Sequence, residues 1–266
     1  MNLTEYQNRI FQIENESSFN ELCLTAFLFQ YQNIAIYRQY VDALSINPHS
    51  INHFSQIPFL PISFFKTHSL IAGEEQTVFK SSGTTDTGRS HHYIHDLKLY
   101  ENSFRESFKR FYGPVQDYAI LALLPSYIEN GESSLIYMAD SLIHDSKHQS
   151  SGFYLDNLQE LSKQIRILDK SGQKTLLLGV SYALLDLIET YSFELKHTIV
   201  METGGMKGQR KELVKSELHA LLKSGFGVDT IHSEYGMTEL LSQAYSKGKG
   251  LFEEKDFDKI DNLIRY

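Results

Sequence analysis

Three short apolar runs in the middle of the chain constrain its fold more than any other feature. They read YAILALL, KTLLLGV and HTIVMET, at residues 118–124, 174–180 and 197–203. Glycine, proline or charged residues bound each run, and helix-like stretches separate them. Uninterrupted apolar runs of this length are typical of strands buried within a sheet. The pattern therefore predicts an α/β fold.

The N-terminal region is predicted to form one long amphipathic helix over residues 18–44. Ser18 and Glu21 make a capping box at its start. Asn47 and Pro48 end it. The apolar residues that recur at helical spacing are Leu22, Phe29, Ile36 and Leu44.

Two prolines predict an extended connector after this helix. Pro58 and Pro61 lie in the segment IPFLPISFFKTHSL, where they disfavour a helix interior. No linker divides the 266 residues, so we expect a single domain. It would consist of a helical segment at 1–54, a core at 55–248 and a divergent tail at 249–266.

Charge and composition exclude several classes of protein. The formal net charge is −8, whereas a protein that binds nucleic acid normally displays a basic face. No apolar run approaches the roughly 18 residues that a membrane span needs. The N-terminus carries acidic residues where a secretory signal would carry basic ones. We therefore expect a cytoplasmic protein with no nucleic-acid partner and no membrane span.

The single cysteine limits the chemistry further. With Cys23 alone there is no internal disulfide and no cysteine-based zinc cluster. Cys23 lies beside Leu22, Leu24 and Phe27 in the predicted N-terminal helix, and free cysteines are among the most buried residues. We expect it to pack in the core rather than to react.

The segment FKSSGTTDTGRS, at residues 79–90, is the most informative for function. Hydroxyl side chains, two glycines and an arginine crowd into twelve residues, a composition suited to a loop that folds around an anion. Phosphate groups are the natural ligand, although an ordinary surface turn has the same composition. The predicted phosphate contacts are Ser81, Ser82, Gly83, Thr84 and Thr85.

The same segment permits an alternative interpretation. Gly83, Gly88, Arg89 and Ser90 fit the spacing of a P-loop with arginine in place of its lysine. Arginine does not replace the compact charge of that lysine, and no later apolar run ends in the aspartate that a P-loop protein needs for magnesium. A P-loop nucleotidase is therefore the weaker alternative.

Two later segments favour a nucleotide site of another kind. Gly204 and Gly205 follow the HTIVMET run, and bare backbone at a strand end allows a flat base to stack. Further on, Tyr235, Thr238 and Glu239 surround Gly236 in the box HSEYGMTE, after the short run VDTI. Tyr235 is suited to cover an adenine, Thr238 to bond a phosphate and Glu239 to hold Mg²⁺.

Taken in order, these segments resemble a known family. SSGTT, GG and YGMTE are similar to motifs of the adenylate-forming acyl- and aryl-CoA ligases. The longer segments resemble the acyl-protein synthetase (LuxE) family over about residues 55–248. They are IPFLPISFFK, FKSSGTTDTGRS, LLPSYIENGESSLIYM, SGFYL, ETGGMKG and EYGMTELLSQAYS.

This resemblance implies both a fold and an activity. The fold would be the mixed-sheet core of an adenylate-forming domain. The activity would be ATP- and Mg²⁺-dependent activation of a long-chain fatty acid as an acyl-adenylate, followed by acyl transfer through a cysteine thioester to a reductase partner. In the family pattern, Ser81 to Thr85 grip the phosphates, Gly204, Gly205, Tyr235 and Gly236 contact the nucleotide, and Thr238 and Glu239 are catalytic, Glu239 as the magnesium ligand. The segments LALLPSY and SSLIYM are expected to line the acyl slot.

Family members continue beyond the YGMTE box into a ribose-binding acid and a small C-terminal lobe. This chain lacks that pattern before Tyr266, so we expect weak nucleotide binding and slow acyl-adenylate formation. A binding module without full catalysis is the corresponding alternative.

Two further motifs resemble a metal site and a hydrolase site, but their spacing argues against both functions. His91, His92 and His95 are too far apart along a strand to share one metal ion, which predicts strand-surface histidines. Gly131-Glu132-Ser133-Ser134 approaches the nucleophile elbow of a serine hydrolase, but Leu135 replaces the final glycine.

Overall fold

A computed structural model describes residues 3–81, 88–125, 132–204, 206 and 209–248. Within these residues the chain forms two compact units. The first contains residues up to Glu106 together with Met237–Ser242, and the second contains Ser107–Gly236 and the residues from Gln243 onward. The predicted boundaries at residues 54/55 and 248/249 stay a prediction.

Helices and strands alternate through most of the chain. The helices are α1 (Leu3–Ile10), α2 (Glu16–Asn33), α3 (Ala35–Ala43), α4 (Leu97–Tyr112), α5 (Ser134–Ser146), α6 (Leu158–Ser171), α7 (Ser181–Thr190) and α8 (Lys215–Phe226). The strands are β1 (Thr77–Lys80), β2 (His91–Ile94), β3 (Ala119–Leu123), β4 (Gly152–Phe153), β5 (Thr175–Val180), β6 (Thr198–Thr203), β7 (His232–Gly236) and β8 (Gln243–Ser246).

The second unit is built on a six-stranded mixed sheet with the order β4-β3-β5-β6-β7-β8. Neighbouring strands from β4 to β7 pair in parallel, and β8 is antiparallel to β7. Every residue of β3 and β5 is buried, which explains why the corresponding sequence runs are uninterruptedly apolar. The predicted α/β class and its three buried strands are confirmed.

Helices cover both faces of this sheet. On one face, Tyr245 of β8 packs its ring against Phe108 and Tyr112 of α4, and its hydroxyl lies 3.8 Å from the sulfur of Met138 in α5. On the other face, His219 of α8 reaches Glu202 of β6. Because α7 packs against α8, it lies on that second face as well.

The first unit begins with a helical cluster whose N-terminal helix differs from the prediction. Residues 18–44 form two helices, α2 and α3, because Ile34 adopts an extended conformation between them. Arg38 makes this break possible by donating to the carbonyl oxygens of Tyr31 and Gln32, which α2 leaves unpaired at its end. Phe29 lies on the exposed side of α2 and is 43% exposed.

The start of α2 also differs from the prediction. Asn15, not Ser18, is the N-cap, and its side chain accepts from the backbone N–H of Ser18 at 2.9 Å. Ser18 is therefore the third helical residue of the capping box rather than its first. The connector after α3 is likewise not extended throughout, because Ile62–Lys66 form a 3₁₀ helix directly after Pro61. Proline is compatible with a helix start, where its missing N–H costs no hydrogen bond.

Cys23 is buried in the core of this cluster, among Leu22, Phe27, Tyr37 and Val41. Burial raises the pKa of its thiol to about 11, so the thiol stays protonated at neutral pH. The packing role predicted for Cys23 is confirmed. Among the helices that the structure describes, none is long and apolar enough to cross a membrane.

Candidate functional site

The second unit places two of the predicted segments at the same edge of its sheet. Along the chain, β4 is added on one side of β3, and β5, β6 and β7 are added on the other side. Ligands of open parallel sheets of this kind bind beyond the carboxyl ends of the strands. Gly204 follows the carboxyl end of β6, and Tyr235 and Gly236 form the carboxyl end of β7. Their position agrees with a ligand-binding edge, while their contacts with a nucleotide stay a prediction.

The glycine turn after β6 is anchored to the end of β5. Gly204 has a φ of 61°, a left-handed conformation that favours glycine. The hydroxyl of Ser181, the first residue of α7, donates to the Gly204 carbonyl oxygen at 2.7 Å. Gly205 lies outside the described residues.

The HSEYG part of the box is itself a strand, which the sequence did not predict. Strand β7 begins at His232, directly after the run VDTI. Successive residues of β7 point to opposite faces. Tyr235 is 45% exposed, so part of its side chain is accessible, as covering an adenine would require.

Glu234 is a buried residue of the HSEYGMTE box to which the sequence pattern gives no role. It is only 5% exposed, and its Oε2 accepts a hydrogen bond from the hydroxyl of Thr203, its neighbour on β6. Burial raises the pKa of its carboxyl to about 7; the hydrogen bond from Thr203 opposes this rise and the charge of Glu202 adds to it. A buried glutamate one residue from Tyr235 has no signature in the sequence, because it resembles any polar strand residue.

A second buried carboxylate lies on the opposite face of the sheet. Glu202 Oε1 accepts from the hydroxyl of Ser233 at 2.6 Å and lies 3.4 Å from Nε2 of His219 and 3.3 Å from Nζ of Lys215. These contacts join β6, β7 and α8 just below the glycine turn. The cluster therefore holds the carboxyl ends of the two strands together.

In the first unit, β1 and β2 form an antiparallel ribbon whose connecting loop is the predicted phosphate loop. Ser81 and Ser90 close the base of that loop, because the Ser81 N–H donates to the Ser90 carbonyl at 3.0 Å and the Ser90 N–H donates to Ser81 Oγ at 2.9 Å. Ser82, Gly83, Thr84 and Thr85 lie outside the described residues.

This geometry contradicts the P-loop alternative. A P-loop runs directly into a helix, and its phosphate contacts depend on that helix N-terminus. Here Gly88, Arg89 and Ser90 lead into the strand β2 instead.

His92 links this ribbon to the box. Its Nδ1–H donates to the carbonyl oxygen of Thr238 at 2.8 Å, and its ring packs edge-on against Phe65 at 5.3 Å between ring centroids. Burial lowers the pKa of His92, while the bond to Thr238 and the charge of Glu239 oppose that shift. His91 and His92 lie on strand β2, as the sequence predicts, and both are half-buried; the bond to Thr238 is what the sequence did not predict for His92. The sequence indicates that His92 lies in a strand, but it does not indicate the hydrogen-bond partner, because Thr238 lies 146 residues away.

The Mg²⁺ predicted at Glu239 would be an ion that needs few protein ligands. Within the described residues, no group of three or more His, Cys, Asp or Glu side chains is arranged to hold a metal ion. Mg²⁺ normally takes one or two carboxylates and completes its shell with water and substrate phosphates. Glu239 is partly exposed, and its magnesium role stays a prediction.

The serine-hydrolase alternative loses its nucleophile. Ser133 is the N-cap of α5, and its hydroxyl accepts from the backbone N–H of Ile136. Its φ of −101° is ordinary, whereas a nucleophile elbow holds its serine in a strained turn. Ser133 therefore begins a helix.

An open depression of about 450 Å³ lies at the other edge of the sheet. It is lined by residues at the amino ends of β6 and β7, among them Lys196, Asp229 and His232. None of the predicted site residues is there.

Comparison with known proteins gives little further information. No protein-family model matches the sequence, and no curated protein matches it. Among solved structures, the chain is similar to 2-hydroxyisobutyryl-CoA ligase in its postadenylation state in complex with 2-HIB-AMP, with 10% sequence identity and a TM-score of 0.44. The match covers 90% of this chain and 50% of the ligase, so the chain spans about half of that protein's length. These comparisons assign the chain to no family.

Proposed function

We propose that this chain binds ATP and activates a carboxylic acid as an acyl-adenylate. The observation that carries the proposal is the hydrogen bond from His92 to Thr238. Within the first unit, this bond holds the Thr238–Glu239 end of the box against the ribbon that carries the Ser81–Thr85 loop. A loop rich in hydroxyl and N–H donors next to a threonine and an acidic residue is the set of groups that a magnesium-bound polyphosphate needs.

The second unit supports the proposal through the positions of the Gly204 turn and the Tyr235 ring. Gly204 and Tyr235 stand at the carboxyl ends of neighbouring parallel strands, where nucleotides bind in many sheets of this kind. The accessible ring of Tyr235 offers a stacking surface for adenine. We assign the base contacts to Gly204, Gly205, Tyr235 and Gly236.

The proposed reaction is an in-line displacement at the α-phosphorus of ATP. A carboxylate oxygen of the acid forms a bond to that phosphorus as the bond to the bridging oxygen of the β-phosphate breaks, and pyrophosphate leaves. Ser81 to Thr85 would donate hydrogen bonds to the phosphates, and the Thr238 hydroxyl would donate to a phosphate oxygen. Glu239 would hold Mg²⁺, which when bound neutralises charge on the phosphates.

The acid and the acceptor can be proposed more narrowly. A long-chain fatty acid fits the apolar surroundings expected from LALLPSY and SSLIYM, of which Leu121–Leu124 and Met138 are buried. The acyl acceptor would be a thiol on another molecule, such as a reductase partner. Cys23 is unsuited to that role, because its thiol is buried and its pKa is raised to about 11.

The magnesium role of Glu239 gives the first test. We expect Glu239→Gln to lower acid-dependent ATP–pyrophosphate exchange roughly 100-fold, because the amide is a much poorer magnesium ligand than the carboxylate. Glu217→Gln is the matched control, since Glu217 is an exposed residue in the first turn of α8. Exchange at the wild-type rate in Glu239→Gln would refute the assignment. Binding of ATP without any exchange in the wild type would favour a binding module instead.

A further inference from the structure

The carboxyl ends of β6 and β7 are joined by two crossed pairs of side chains. The register of these strands ends with the pairs Glu202–Ser233 and Thr203–Glu234. In each pair a hydroxyl on one strand donates to the carboxyl group on the other, from Ser233 to Glu202 at 2.6 Å and from Thr203 to Glu234. Because successive residues of a strand point to opposite faces, one pair lies on each face of the sheet. We call these four residues the strand clamp.

The stability of the fold does not account for these polar pairs. All four side chains of the strand clamp are buried, whereas the residues that precede them in β6, Val200 and Met201, are buried and apolar. Burying a carboxyl group costs free energy that its hydrogen bonds mainly offset, and apolar replacements of buried polar pairs are often neutral or stabilising. Departures of this kind from an apolar interior are expected at functional sites.

The strand clamp lies next to the groups that we assign to the nucleotide base. Gly204 directly follows Thr203, and Tyr235 directly follows Glu234. The carbonyl oxygen of Gly204 also accepts from the hydroxyl of Ser181, just beyond the end of β5. Hydrogen bonds have a preferred length and direction, and a buried network of them makes its surroundings rigid. The two strand ends are therefore held at a fixed separation on both faces of the sheet.

We propose that the strand clamp positions Gly204 and Tyr235 around the base of a bound nucleotide, so that Thr203 and Ser233 are positioning residues for adenine. The inference rests on the proposed binding of ATP and deepens it, since it identifies residues that govern base affinity without touching the base. The phosphate contacts are assigned to other segments, the Ser81–Thr85 loop and Thr238. Loss of a clamp hydroxyl should therefore weaken ATP but not a polyphosphate that has no base.

Four variants test this role. Thr203→Val keeps the shape of the side chain and removes its hydroxyl, and Ser233→Ala removes the hydroxyl of the other pair. Thr203→Ser retains a hydroxyl and is the conservative rescue. Thr198→Val is the matched control, because Thr198 lies at the opposite end of β6 and its buried hydroxyl also donates to a carboxylate, that of Asp169, at 2.9 Å.

The measurement is the Kd of the full chain for ATP and for tripolyphosphate, each with Mg²⁺, by calorimetry. In Thr203→Val and Ser233→Ala we expect the Kd for ATP to rise about tenfold, the factor that one hydrogen bond to a charged group represents. In Thr203→Ser and Thr198→Val it should stay within about twofold, as should the Kd for tripolyphosphate in every variant. Thermal unfolding checks that all four variants fold, and Thr198→Val should lose as much stability as Thr203→Val.

Several results would overturn the inference. Unchanged ATP binding in folded Thr203→Val and Ser233→Ala would do so. Equal weakening of ATP in Thr198→Val would mean that the loss follows stability rather than position, and equal weakening of tripolyphosphate would mean that the clamp does not act on the base. A wild-type chain that binds no ATP would refute both this inference and the proposed function. If ATP binding responds as expected but no acid supports pyrophosphate exchange, the inference stands and the proposed adenylation fails.

Discussion

At the scale of single residues, Glu234 makes the stability of the protein depend on pH. Its pKa is about 7 in the folded chain, above its ordinary value near 4.5. Between these two values the folded protein binds more protons than the unfolded chain, so stability falls as the pH rises. The contribution of Glu234 is present below pH 4.5 and is lost as the pH passes through about 7.

This pH dependence can be measured with a neutral variant. We expect the wild type to lose on the order of 2 kcal/mol more stability than Glu234→Gln between pH 5 and pH 8. Urea unfolding of both proteins at the two pH values gives the comparison. Equal losses in the two proteins would show that Glu234 is ionised in the folded state at neutral pH, as an exposed glutamate is.

The residues of the candidate site differ in how far the sequence reveals them. Tyr235 and Gly204 stand in recognisable motifs, so their segments are identified from the sequence alone. Glu234, Glu202 and His92 are ordinary polar residues in short strands. Their properties come from partners distant in sequence, such as Thr238 for His92, and no local pattern encodes those partners.

At the scale of elements, the strands buried on both faces are predictable and the others are not. The runs containing β3, β5 and β6 are apolar because both faces are covered. The strand β7 has the sequence HSEYG, and its polar residues Ser233 and Glu234 bond to Glu202 and Thr203 of β6, so the segment looks like a loop in the sequence. The long N-terminal helix is predicted from apolar spacing and from signals at its two ends, and neither registers that Arg38 stabilises a break at Ile34.

Gly225 in α8 shows how packing overrides helix propensity. A Cβ atom at this position would lie 2.5 Å from Cβ of Ile188 in α7, so the two helices approach too closely for any side chain. Alanine is favoured over glycine in a helix by about 1 kcal/mol, but overpacking costs about 1–3 kcal/mol.

We therefore expect Gly225→Ala to destabilise the protein by about 1–2 kcal/mol despite its better helix propensity. Ser224→Ala is the matched control, because Ser224 is the exposed neighbour in the same helix and should gain a few tenths of a kcal/mol. Chemical denaturation of both variants checks the opposite signs. Stabilisation by Gly225→Ala would mean that α7 and α8 do not pack as closely as described.

At the scale of the whole molecule, the topology of the second unit limits where chemistry takes place. Its strand order creates one edge at which parallel strands present their carboxyl ends, and the glycine turn and the box both reach that edge. The α/β class follows from the apolar runs, but the strand order does not, because it depends on which strands pair across intervening helices. The sequence motifs identify the candidate segments, and the structure adds the buried carboxylates beside them.

The central claim is that the chain transfers the adenylyl group of ATP to a carboxylic acid. The most direct measurement incubates the protein with ATP labelled at its α-phosphate, Mg²⁺ and a long-chain fatty acid, and separates the nucleotides by chromatography. We predict acid-dependent label in an acyl-AMP, which hydroxylamine converts to AMP and a hydroxamate, with one pyrophosphate released per acyl-AMP. Acid-dependent label in ADP would contradict the claim, because it would mean that the γ-phosphate, not the adenylyl group, is transferred.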